Sequence, residues 1–79
     1  MLEEIAAELR AMDEQVFLRR TGSGRPFLCA LGPIARLNEE ITVTHENGQV
    51  RAVWSWGEEL PADPREAAAA IRRAVNPTV

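Results

Sequence analysis

The stretch Ile41-Thr42-Val43-Thr44-His45-Glu46-Asn47-Gly48-Gln49-Val50-Arg51-Ala52-Val53-Trp54-Ser55-Trp56 decides the fold. Two alternating runs rich in β-branched and aromatic residues flank Asn47-Gly48, the strongest short-range signal for a two-residue type I′ hairpin. Such a turn fixes the register. Glu46 faces Gln49, His45 faces Val50, Val43 faces Ala52 and Ile41 faces Trp54. Because successive side chains alternate between faces, one face carries Ile41, Val43, His45, Val50, Ala52 and Trp54. The other carries Thr42, Thr44, Glu46, Gln49, Arg51 and Val53. One apolar and one polar face predict an antiparallel sheet covered on one side only.

N-terminal to this hairpin, Gln15–Arg20 and Phe27–Leu31 read as a second antiparallel pair around Thr21-Gly22-Ser23-Gly24-Arg25-Pro26. The glycines and proline of that segment supply the dihedrals a reversal needs. Both strands are apolar at consecutive positions, so alternation leaves open which residues face inward. Gly32-Pro33 interrupts the pattern, and residues 32–40 carry no assignable element. Leu2, Ile5, Ala6, Leu9 and Met12 recur at helical spacing, with Glu3 and Glu4 in the first turn where the helix dipole favours acids. That helix ends near Asp13. Downstream, Asp63 is a good N-cap, Pro64 fits the first helical position and Glu66 completes a capping box. A helix from Pro64 to about Val75 follows, burying Ala67, Ala70, Ile71, Ala74 and Val75, and Asn76-Pro77 stops it.

The order α-β-β-β-β-α implies an α+β fold: a four-stranded antiparallel sheet with both helices packed on its apolar face. A chain of 79 residues makes a single domain, 1–79. Its 46% hydrophobic content is enough for one core. No apolar run approaches the roughly 20 residues of a membrane span, and the acidic Met1-Leu2-Glu3-Glu4 start points to a cytoplasmic protein. All nine basic residues are Arg, beside a dozen alanines. That bias fits codon usage in a high-GC bacterial genome and says little about ligands.

Few residues invite chemistry. Cys29 lies within Phe27-Leu28-Cys29-Ala30-Leu31 and behaves there as a small hydrophobe. His45, the only histidine, has no second ligand or nucleophile at a useful spacing and reads as a partly buried or edge residue. The register places Glu39 across from Trp56, so Glu39-Glu40 and Glu58-Glu59 are expected to gather at the open end of the hairpin. With no Asp-x-Asp spacing they read as a solvated acidic rim, offset by Arg36, suited to a basic partner surface. Trp54, opposite Ile41, belongs to the core; Trp56 stands between core edge and partner contact. Arg19, Arg20 and Arg25 flank a glycine turn whose amides suit an anion. Those glycines open no helix, no aromatic is interleaved, and the net charge is −3. No metal and no cofactor is indicated.

Trp54-Ser55-Trp56, Pro61-Ala62-Asp63-Pro64 and Ala67 to Ile71 resemble segments of small uncharacterised actinobacterial-type α+β proteins, over about a third of the chain. The resemblance implies no known activity and favours an accessory or regulatory role over an enzyme. The sequence is therefore read as a small non-catalytic module that binds a protein partner or itself. Phe17, Val53 and Trp56 are the expected interface patch and a two-fold homodimer the expected assembly. The alternative is a nucleic-acid-binding or antitoxin-like protein using the hairpin tip with Arg19, Arg20 and Arg25.

Overall fold

Positive φ at two successive residues, 50° at Asn47 and 77° at Gly48, makes the expected type I′ turn. The computed structural model describes residues 1–77. The turn joins β3 (Glu39–Glu46) to β4 (Gln49–Trp54). Their register runs from Glu46↔Gln49 through Val43↔Ala52 to Ile41↔Trp54, as the turn demands. β4 stops at Trp54 rather than Trp56, because the chain reverses at once. Gly57, at φ 95°, donates its N–H to the Trp54 carbonyl at 2.9 Å. Trp54 N–H then bonds Glu58 O at 2.8 Å, Val53 bridges Glu59, and Leu60 N–H bonds Ala52 O at 2.9 Å. Residues 58–60 thus line the outer edge of β4.

β1 (Gln15–Arg20) and β2 (Pro26–Leu31) complete an antiparallel sheet of order β1-β2-β3-β4. Directly opposed residues share a face, so the register closes the question that alternation leaves open. Leu18, Leu28, Ile41 and Trp54 form one row across all four strands. Val16 and Ala30 extend the same face. The opposite face carries Phe17 with Cys29 and Glu40, and Arg19 with Phe27, Thr42 and Val53. Pairing of β2 with β3 starts at Phe27↔Thr42. Pro26, with no N–H to give, precedes it, and beyond this point the β3–β4 arm runs on alone. His45 and Val50 on that arm are exposed.

Both helices cover the first face. α1 (Leu2–Ala11) buries Leu2, Ile5, Ala6 and Leu9 as its spacing predicts. It ends in a Schellman arrangement: Asp13, at φ 63°, donates to Arg10 O, and Glu14 N–H reaches Leu9 O, each at 3.0 Å. α2 (Pro64–Val75) starts where expected, with Glu66 N–H donating to the Asp63 carboxylate at 3.1 Å. Its inward stripe is Ala67, Ala68, Ile71 and Val75. Ala68 replaces Ala70 and Ala74, which are only partly buried, because α2 packs on α1 as well as on the sheet. These residues and Val16, Leu28, Ala30, Ile41, Ala52, Trp54 and Leu60 form one core cluster.

Residues 32–40 hold a single 3-10 turn over Ala35–Leu37 and the start of β3. Gly32 N–H bonds the Asn38 side-chain oxygen at 2.9 Å. A Cβ on Gly32 would stand 2.3 Å from the Val75 carbonyl oxygen. The end of α2 therefore reaches the sheet only across a glycine.

Two stability measurements test this arrangement. Gly48→Val is expected to cost on the order of 1–2 kcal/mol in denaturant unfolding, since a β-branched residue resists positive φ. Unchanged stability would mean a different turn. Gly32→Ala is expected to cost about 1–3 kcal/mol through displacement of the α2 terminus; a neutral result would mean that α2 ends away from Gly32.

Candidate interaction surface

The helix-free face carries more apolar surface than an ordinary wet face. Phe17 is 45% exposed, and Phe27, Cys29 and Leu31 are partly exposed. Phe17 sits directly opposite Cys29, and Phe27 is on the neighbouring row. The Arg19 guanidinium lies 5.5 Å from the Phe17 ring centre, a cation–π contact on the sheet surface. Among the described residues no helix covers this side: the core residues of both helices belong to one cluster with strand residues of the opposite face.

The edge of β1 adjoins that surface, and the type I′ turn dictates which of its groups point outward. In a two-residue hairpin Glu46 and Gln49 exchange both hydrogen bonds, and bonded and unbonded pairs then alternate. Carried across the sheet, this alternation turns the backbone of Ala52 and Trp54 away from β3, and they bond Leu60 and Glu58. It makes Thr21 and Arg25 a bonded pair, and Thr21 N–H meets Arg25 O at 2.8 Å. It turns Val16, Leu18 and Arg20 away from β2, and Val16 O is the carbonyl that Arg10 Nη2 reaches, at 3.5 Å. Among the described residues that long contact is the sole hydrogen bond to the edge. β4 has a covered edge; β1 has a bare one.

Of Phe17, Val53 and Trp56, the helix-free face exposes Phe17 alone. Val53 is on the helix-free face but just 8% exposed. Glu59 stands opposite it and pairs with Arg51 at 2.6 Å, so residues 58–60 and this ion pair close over it. Trp56 is 57% exposed yet belongs to the other side, because its ring stacks on core Trp54 at 4.8 Å and 9°. Phe27, Cys29 and Leu31 take their place. The irregular 32–38 connection hides the offset of β2 against β3, so no local signal could have named them.

The arginines diverge. Arg19 is on the helix-free face and Arg20 on the other, where its Nη1 donates to Gly24 O at 3.0 Å. The tip uses its own amides: Gly24 N–H bonds Thr21 O at 2.9 Å, and Arg25 N–H bonds Thr21 Oγ1 at 3.1 Å. Arg25 instead lines a cleft of about 560 Å³ with Thr21, Pro26, Thr42, Val43 and Thr44, and with His45, an exposed residue at the edge where β3 has no β2 partner. Three of the four acids expected at the rim have partners of their own. Glu39 pairs with Ala30, Glu58 accepts from Trp56 Nε1 at 3.3 Å, and Glu59 is held by Arg51. Among the described residues no three His, Cys, Asp or Glu side chains converge as metal ligands, and no helix is long and apolar enough to cross a membrane.

No family model, curated protein or solved structure matches this chain.

The two faces are distinguishable by mutation. Leu28→Ala is expected to cost about 2–5 kcal/mol, whereas Phe17→Ser, on the wet face, stays within about 1 kcal/mol. Equal losses in chemical denaturation would contradict the assignment of faces.

Proposed function

We propose that this chain is a small non-catalytic protein-interaction module, an accessory or regulatory protein that acts by associating with itself or with another protein. The observation that carries this reading is the contiguous Phe17, Phe27, Cys29 and Leu31 surface on the face without helices, where a sheet of this kind ordinarily presents polar residues. Aromatic anchors beside an arginine are the composition of binding hot spots.

The nucleic-acid or antitoxin-like alternative has less support. Its arginines point to different sides of the tip, two of the turn amides are bonded internally, and the net charge is −3.

Light scattering at tens of micromolar tests the proposal. The expected mass is twice the 8.8 kDa chain, about 18 kDa, falling to the chain mass in Phe17→Glu. A wild-type mass of 8.8 kDa, with salt-dependent retention on DNA lost on replacing Arg19 and Arg25 by Ala, would overturn it for the alternative.

A further inference from the structure

We infer that β1 pairs antiparallel with the β1 of a second copy about a two-fold axis through Phe17, joining two sheets into one of eight strands; this rests on the proposed self-association and specifies its geometry. The outward groups of β1 belong to Val16, Leu18 and Arg20, and among the described residues the sheet supplies them with no strand partner. An edge of this kind takes up another strand through main-chain hydrogen bonds. The best strand available to it is its own copy, since the sequence of β1 is complementary to itself in one register.

With the axis at Phe17, Val16 exchanges both backbone bonds with Leu18 of the second copy, and the two Phe17 rings lie opposite each other. Gln15 then faces Arg19 of the second copy. Apolar meets apolar on both faces, and each guanidinium meets an amide oxygen. The Arg19 side chains stand four positions apart, about 13 Å along the strand. Moving the axis to Leu18 would place Val16 against Arg20 and bring the two Arg19 within about 7–8 Å, diagonal neighbours of like charge. Charge therefore selects Phe17.

The helices agree. A two-fold axis perpendicular to the sheet keeps both pairs of helices on one side, with the α1 helices adjacent and antiparallel. Glu3 lines a small recess with Leu18 and Arg20, whereas Arg10 reaches the Val16 carbonyl. Since Val16 of one copy meets Leu18 of the other, Arg10 is brought to Glu3 of the second copy, twice over. Opposite charges thus close the helix side while the Phe17 pair closes the other.

Cross-linking in a Cys29→Ser background tests the register. Opposed residues such as Gln15 and Arg19 of the second copy lie about 4.5–5.5 Å apart at Cα, within disulfide range. Equimolar Gln15→Cys and Arg19→Cys chains, mildly oxidised, are expected to give a mixed disulfide dimer that neither yields alone, and Leu18→Cys is expected to give none. Of the backbone hydrogen-bonding groups Leu18→Pro removes an outward N–H alone, so the β1–β2 ladder and the circular dichroism spectrum should persist while the mass falls to 8.8 kDa. A Leu18→Cys dimer without the mixed one would overturn this register. A mass of about 18 kDa that survives Leu18→Pro, is lost in Phe27→Glu and shows no mixed disulfide would overturn edge pairing but leave association through the face standing.

Discussion

Left-handed backbone at Asn47 and Gly48 is the constraint on which the sheet depends. A two-residue reversal of this hand lets only one pairing follow, and pairing fixes parity: which side each side chain takes and which neighbour each amide addresses. Parity passes from β4 to β3 to β2 to β1 without a bulge. Bonds far from the turn obey it, among them Leu60 to Ala52, Thr21 to Arg25 and Arg10 to Val16. A slip of one residue would exchange the buried and wet faces together.

Parity also explains why the two sides differ in kind. On one, Leu28, Ile41 and Ile71 are fully buried together, each such side chain contributing about 1.5–3 kcal/mol on leaving water. The small side chains of α2 and the absence of a Cβ at Gly32 allow the helix that close. On the other, the same alternation leaves Phe17, Phe27, Cys29 and Leu31 with water. The edges differ as well. The reversal at Gly57 lets the chain cover β4 with its own residues 58–60, but nothing in α1 or the 12–14 turn plays that part for β1 beyond Arg10. Among the described residues, an uncovered edge thus lies next to an uncovered apolar face.

Much of the fold was legible because its determinants are local. The Asn-Gly turn, the Asp63-Pro64 start of α2 and the spacing of Leu2, Ile5, Ala6 and Leu9 each act within a few residues. The face of β1 and β2 was not legible, since it depends on the offset of β2 against β3, and that is set by how residues 32–38 and the end of α2 pack around Gly32 and Asn38. The exposure of the helix-free face was legible only in part, for a related reason. Phe17 could be named, but the reversal after Trp54 buries Val53 and stacks Trp56 on the opposite side. A Trp-x-Trp run reads as continuing strand; the glycine that ends it acts through a hydrogen bond which alternation does not register.

Residue-resolved amide hydrogen exchange at the lowest workable concentration measures parity itself. The N–H groups of Phe17 and Arg19 should be protected by β2 and those of Leu18 and Arg20 open; on β4, Arg51 and Val53 should be protected by β3 and Trp54 by Glu58, with Val50 and Ala52 open. Protection of Leu18 with exchange at Phe17 under those conditions would mean that the alternation set at Asn47-Gly48 does not reach β1, and the assignment of faces and edges would be wrong.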